Sequence, residues 1–493
     1  MANRRSFLQS AFGLGAAFLS ANKLCASTPQ SAAEQLKRKR TRDRGAAFNV
    51  PVVTTDVGDL AYTMDGNTKV FHLVAEVVKR QIHPDKTLDL WGFNGSAPGP
   101  SIQVNQGDHV RVIFDNHLPE PTSIHWHGFE DTIQNDGQPA ISQPPVKPGG
   151  RFVYEFDIHQ EGTYFYHSHM AMQEMAGMLG AFIMHPKEPY RPHCDKDFLI
   201  HLQEYAVLPN NTVPNTMNME FNWLVFNGKA APASTPLIVR LGDRVRIRFV
   251  NLGMDHHPMH LHGHTFYTTG TEGGRIPEAG WWPGNTVLVG VAQARTVEFV
   301  ANNPGDWMIH CHLPHHMMNQ MSSVAGKMTR AAGMPAGGAM NTGMGMLTGE
   351  PGAPMGEGYG PALGRGLGGV GNANETPSTN GPLSQQKAMD AMPGMQHNMS
   401  EKQMADMASD VAQNANDVPN FPQDAYMEGP MMVMDEAVER PENYGLNAGW
   451  SGFMQGMMTF VRVLPPEKYD EVISRMKQAN RPNDPYKTIL ERA

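Results

Sequence analysis

Gly107-Asp108-His109-Val110-Arg111-Val112-Ile113-Phe114-Asp115-Asn116 returns 135 positions later as Gly242-Asp243-Arg244-Val245-Arg246-Ile247-Arg248-Phe249-Val250-Asn251. In both copies apolar and polar residues alternate after a Gly-Asp turn, the period-2 pattern of a strand with one buried face. At the same offset His125-Trp126-His127-Gly128 falls on His260-Leu261-His262-Gly263. At an offset of 143, GTYFYHSH (162–169) falls on GDWMIHCH (305–312). Self-similarity at fixed offset marks a duplicated structural unit, and about 140 residues is the size of a domain. Further alternating segments at 69–78, 101–114, 152–156, 237–250 and 296–300 are punctuated by Gly, Pro and Asp/Asn. The chain therefore reads as all-β, with two β-sandwich domains over 47–190 and 195–330.

Outside that repeat the texture differs. Of 493 residues, 40% are apolar and 18% charged, while Gly (50), Pro (38) and Met (35) are abundant, so part of the chain is unsuited to a core. Residues 331–371 alone hold 15 Gly, and Met, Gly, Pro, Asn and Gln dominate up to 440. This is a Met/Gly-rich, low-complexity C-terminal extension. A C-terminal segment over 441–493 follows, with a short helix expected over 467–478 after Pro465-Pro466. With 39 basic and 48 acidic side chains the net charge is −9, which excludes nucleic acid as a default partner. Three cysteines (Cys25, Cys194, Cys311) exclude a disulfide scaffold. Arg4-Arg5-Ser6-Phe7-Leu8, a short apolar run over 11–19 and a small residue near Ala26 form the pattern of a twin-arginine signal over 1–26, ahead of a basic leader over 27–46. Periplasmic or secreted localisation is the expectation. No run of about 18 apolar residues predicts a stable membrane anchor.

Four His-X-His pairs, 125/127, 167/169, 260/262 and 310/312, sit at equivalent positions of the two repeats. On a strand, residues i and i+2 share a face, so each pair offers two imidazoles side by side. Eight imidazoles without carboxylates favour a copper-type site over one for a hard cation. Cys311 points to the face opposite His310 and His312. His257 precedes the third pair, and His316 and Met321 follow Cys311 by five and ten positions. Two His, one thiolate and a weak thioether are a blue-copper set, and Cys311 joins it covalently to two cluster histidines. The first repeat has Thr122, Ser168 and Gln173 where the second has His257, Cys311 and His316, with Met178 matching Met321. One blue copper is expected, in the second domain.

HWHG, HSH, HPMHLHGH and HCHLPHHMMNQM together resemble the four copper motifs of the multicopper oxidases, over about 47–330. With two domains in place of three, the chain is similar to the two-domain, small-laccase-like branch. The resemblance implies two cupredoxin-like Greek-key sandwiches and four coppers per active unit: one type 1, one type 2 and two type 3. By resemblance, His257, Cys311, His316 and Met321 bind type 1 copper, and His125 and His260 bind type 2. His127, His167 and His312 hold one type 3 ion, and His169, His262 and His310 the other. The chain departs from the family at Gln320, where a Gly is usual before the axial residue. It departs again at Leu313-Pro314-His315, which lacks an acid that some relatives carry. Asp136 matches an aspartate that relatives use for proton delivery, the alternative being an ordinary Asp-Gly turn.

The implied activity is oxidation of a donor one electron at a time, through Cys311, coupled to reduction of O₂ to water. Of 35 Met, 22 fall between 317 and 460, where His397 is the only His after 316. Thioethers without imidazoles select Cu(I), so Cu(I) is the preferred donor and copper detoxification the expected role. Phenols or Mn(II) are the laccase-like alternative. A copper nitrite reductase or a non-catalytic copper-sequestering protein accounts for less of the pattern. Relatives with two domains further imply a homotrimer whose copper clusters lie between subunits. Cys194 reads as structural.

Overall fold

The computed structural model describes residues 50–170, 172–207, 211–216, 219, 221–319, 433–481, 486 and 490. The expected signal, the leader, Gln320, Met321 and nearly all of the Met/Gly-rich segment lie outside the described residues.

Each repeat folds as a pair of packed sheets, a cupredoxin-like sandwich. In the first domain one sheet is built on the long strand Thr68–His83, flanked by Lys86–Phe93, Tyr62–Asp65 and His109–Asn116, with Arg151–Asp157 beyond the last. The second runs in the order Gly99–Asn105, Leu179–His185, Gly162–Ser168, Ile124–His127. Between them lies a wholly buried core of Phe71, Phe114, Trp126, Tyr154, Tyr166 and Phe182, the inward residues of the alternating segments. The second domain repeats the plan. His257–Leu261 lies beside Gly305–Cys311 as Ile124–His127 lies beside Gly162–Ser168, and the cross-strand pair His260↔His310 repeats His125↔His167.

The domain boundary expected at 330 needs correction. The sheet of the second domain runs Leu237–Arg240, Met458–Leu464, Gly305–Cys311, His257–Leu261, Thr286–Val289. Its second strand therefore comes from beyond the Met/Gly-rich segment. Met458–Leu464 pairs in parallel with Leu237–Arg240 and antiparallel with Gly305–Cys311, satisfying two strand edges that would otherwise be unpaired. The helix Pro466–Ala479 follows and buries Tyr469, Val472, Ile473 and Met476 in the core that holds Cys311. The C-terminal segment thus belongs to the second domain. Low complexity over 331–440 breaks the strand rhythm and hides this from the sequence.

Two features join the domains. The strand Val52–Thr54 pairs with Lys196–Tyr205 of the second domain. Phe165, Leu179 and Ile183 of the first domain share an apolar cluster with Leu199, Val250 and Leu252 of the second. Beside it Arg246 and Arg248 share Asp197, at 2.9 and 2.8 Å, and Arg246 also meets Glu298. These buried charges are paired, as burial requires. Cys194 is buried, without a disulfide, and desolvation pushes its thiol up to about 12, as a structural residue would be.

Candidate metal centre

Three of the four residues named for the type 1 centre converge. His257 Nδ1 and His316 Nδ1 stand 3.2 Å apart, and Cys311 Sγ lies 3.7 and 3.4 Å from them. All three are buried. Donors about 2.0–2.3 Å from one first-row ion leave separations of roughly this size, so thiolate and imidazoles fit one soft or borderline metal. Met321, the fourth, lies outside the described residues.

The remaining ring nitrogens are held by carboxylates that sequence reasoning missed. His257 Nε2 faces Glu204 Oε2 at 3.2 Å, both wholly buried, and His316 Nε2 faces Asp255 Oδ2 at 3.4 Å. Glu204 Oε1 also accepts the backbone N–H groups of Met254 and Asp255. Gly253 leaves room for it, since a Cβ there would fall 2.2 Å from the carboxylate. Such partners fix the tautomer, so that Nδ1 is the donor atom offered to a metal. A Glu in an apolar strand is the one sequence signal for this, and it is weak.

The eight His-X-His residues form two sets of four. In the first domain the His125 ring lies 5.2–5.5 Å from those of His127, His167 and His169. In the second the His260 ring lies 4.8–5.5 Å from those of His262, His310 and His312. Among the described residues, the histidine–histidine ring contacts of these eight stay within each set, and Phe165 of the first domain packs 4.3 Å from the His127 ring. Here the orientation is reversed: His125, His167, His260 and His310 bond through Nδ1 to the carbonyls of Asp136, Ser168, Asn285 and Cys311, at 2.7–2.9 Å. Their Nε2 atoms are left for a ligand, and His262 Nε2 comes within 3.0 Å of His310 Nε2. Burial, reinforced by neighbouring imidazoles, lowers His127 to about 4; burial likewise takes His310 to about 4. Both are neutral, hence competent as ligands, at neutral pH.

Cys311 separates the two kinds of centre. Its side chain enters the core beside Met259, while His310 and His312 take the other face. His310 also donates to the Cys311 carbonyl at 2.8 Å. In the first domain the corresponding place is filled by hydrogen bonds: Thr122 Oγ1 to Ser168 Oγ at 3.0 Å, and Ser168 Oγ to Gln173 Oε1 at 2.7 Å. Gln173 Nε2 approaches Glu120 at 3.4 Å, as His316 approaches Asp255. Met178 is a core residue there, while Met175 packs into the core that holds Cys311.

Asp136 Oδ1 lies 3.5 Å from His125 Nδ1. Among the described residues its buried Oδ2 has no hydrogen-bond partner, nor does Trp126 Nε1. Both residues line a cavity of about 170 Å³ that reaches Asp131 and Asn135. A polar cavity of this size accommodates water.

Residues 76–189 and 206–327 match two multicopper oxidase family models. Among curated relatives, the probable nitrite reductase-hydroxylamine oxidoreductase fusion protein of Kuenenia stuttgartiensis is 29% identical over 53% of this chain and 32% of its own length. A copper resistance protein A homolog of Pseudomonas syringae is 39% identical over 23% of this chain and 19% of its own. The chain thus spans a third or less of the length of these relatives. A blue copper oxidase structure from Nitrosomonas europaea has 31% identity over 51% of this chain and 81% of its own, with a TM-score of 0.48. Copper is the metal of this family, and His/Cys groups able to hold it recur in both domains. Two matched domains, each supplying four clustered histidines, place the chain in the multicopper oxidase family, to which it belongs.

Proposed function

We propose that the chain is an exported oxidase that removes electrons one at a time from a donor, with Cu(I) preferred, and passes four to O₂ to form two waters. Bound copper supplies the one-electron couple and the O₂ chemistry; the protein supplies geometry, access and tuning. His257, Cys311 and His316 hold type 1 copper, and His125 and His260 hold type 2. His127, His167 and His312 hold one type 3 ion, and His169, His262 and His310 the other. One observation supports this most: the Cys311 thiol meets two imidazole nitrogens at 3.4 and 3.7 Å while its backbone runs directly into His310 and His312. That gives electrons a short covalent path between the centres. Asp136, at the wall of its cavity and beside His125, is the residue placed to pass protons toward the cluster.

The preference for Cu(I) is supported at the outer edge of His316. There Asp255 is half-exposed, the His315 ring packs 4.3 Å from the His316 ring, and Met254 is 37% exposed. A carboxylate, an imidazole and a thioether suit a cuprous donor better than a neutral ring. Because each domain carries only half of the eight cluster histidines, and their ring contacts stay within the domain, we assign the cluster to the contact between subunits of a head-to-tail homotrimer. Export follows from the twin-arginine pattern at Arg4-Arg5; no helix among the described residues is long and apolar enough to cross a membrane. Oxygen uptake with Cu(I) and with a phenol donor tests the reading. A higher kcat/KM for Cu(I) is expected, and a higher value for the phenol would replace it with a laccase-like activity.

A further inference from the structure

We infer that Met457, not Met321, supplies the axial thioether of the type 1 centre, so that its ligands are split across the Met/Gly-rich segment. This rests on the type 1 reading of His257, Cys311 and His316. The first domain provides an uninterrupted template. There the Ser168 N–H donates to the Met178 carbonyl at 3.0 Å, the Met178 N–H donates to the Gln173 carbonyl at 3.3 Å, and Leu179 pairs with His167. In the second domain the Cys311 N–H donates to the Met457 carbonyl at 3.0 Å, the Met457 N–H donates to the His316 carbonyl at 2.9 Å, and Met458 pairs with His310. Ser168, Gln173 and His167 stand where Cys311, His316 and His310 stand in the second copy. Met457 therefore occupies the place of Met178, although it follows His316 by 141 positions and Met178 follows Gln173 by five.

The neighbours agree. Met178 is preceded by Gly177 and Met457 by Gly456, both at positive φ, whereas Met321 is preceded by Gln320. At 456 a side chain is excluded, because a Cβ would fall 2.4 Å from the His316 carbonyl oxygen. Met457 is wholly buried in the core that contains Cys311 and Met259. Asn319 ties the two ends of the interruption together: its Oδ1 accepts the Gly456 N–H and its Nδ2 donates to the Ala231 carbonyl, each at 2.7 Å. The backbone on both sides of the missing count is thus fixed to the ligand loop, whatever the residues between them do. Counting ten positions from Cys311 finds a methionine at 321 because methionines are dense there.

The test uses the full-length, copper-loaded protein and four variants: Met457→Leu, Met457→Gln, Met321→Leu and Cys311→Ser. The readouts are the blue charge-transfer band, the electron paramagnetic resonance of type 1 Cu(II) and its reduction potential. Loss of a weak axial donor destabilises Cu(II), and a stronger oxygen donor stabilises it. Met457→Leu is expected to keep the band and raise the potential, Met457→Gln to lower it, and Met321→Leu to match the parent. Loss of the band in Met457→Leu with recovery in Met457→Gln supports the assignment equally, since only a donor restores it. A shift in Met321→Leu without one in Met457→Leu overturns it. So does loss of the band in both Met457 variants, which makes the residue a packing element. If Cys311→Ser keeps a normal blue band, the type 1 reading itself fails; if it loses the band while the Met457 variants match the parent, only the axial assignment does.

Discussion

The chemistry rests on single side chains with one orientation each. Cys311 pairs with His257 and His316 on one strand face because its neighbours His310 and His312 take the other. Cys311→Ser is expected to abolish the blue absorption and to cut turnover by orders of magnitude, since a hydroxyl does not replace the soft thiolate; visible spectroscopy and oxygen uptake read both. A different histidine contributes to acid stability. His201 is wholly buried, neither ring nitrogen has a partner among the described residues, and burial lowers it to about 3. Its folded value lies below the unfolded one, so the unfolded chain binds more protons between them. Stability is retained above the unfolded value of about 6.5 and lost as pH falls toward the folded one, by about 2 kcal/mol at pH 5. His201→Leu is therefore expected to gain about 2 kcal/mol on the parent between pH 7 and pH 5 in urea unfolding. An unchanged difference would assign the acid sensitivity elsewhere. At this scale the candidate metal-ligand types were legible, because His-X-His pairs recur at equivalent positions of the two repeats and Cys311 sits inside one of them. Glu204 and Asp255 were not, because a carboxylate becomes a partner of a ligand only when the fold delivers it there.

The two repeats share a strand plan and differ in the side chains they set on it. The hydrogen-bonded Thr122, Ser168 and Gln173 fill in the first domain the place that the two imidazoles and the thiol take in the second. The segments expected at 69–78, 152–156 and 296–300 fall on single strands, those at 101–114 and 237–250 each divide into two strands at their Gly-Asp turn, and the helix expected over 467–478 lies within Pro466–Ala479. The closing strand Met458–Leu464 was not assigned to its sheet, because strand pairing over such a sequence distance leaves no local signal. Two deletions separate that strand from the segment before it. Removing 331–430 is expected to keep the blue band, since the residues that fix the ligand loop lie outside it, but to lower Cu(I) oxidation several-fold more than phenol oxidation. Equal effects on both donors, or none, would reduce the segment to a linker. Truncation before 458 is expected to remove the band, because Gly305–Cys311 and Leu237–Arg240 lose their shared partner; a truncated protein that remains blue would contradict the role given to the closing strand.

The described residues form a pair of sandwiches, each with one set of four clustered histidines. Four imidazoles on His125, His127, His167 and His169, and four on His260, His262, His310 and His312, require an interface to become one cluster. In a ring, His125→Ala and His260→Ala subunits leave one intact interface when mixed. Mixing the two inactive variants is therefore expected to restore a minor fraction of parental activity, measured after joint copper loading; a fully metallated, active monomer in light scattering would contradict the arrangement. In the proposed ring, copper held between subunits would link assembly to metallation by mass action. The proposed reaction takes electrons in singly and passes them on in fours. Its most direct test is the stoichiometry of turnover, with oxygen uptake, donor oxidised and peroxide measured in the same reaction. The expected result is about four one-electron donor equivalents per O₂ with no peroxide, as a complete cluster requires. Two equivalents per O₂ with accumulating peroxide, or donor oxidation without oxygen uptake, would contradict it.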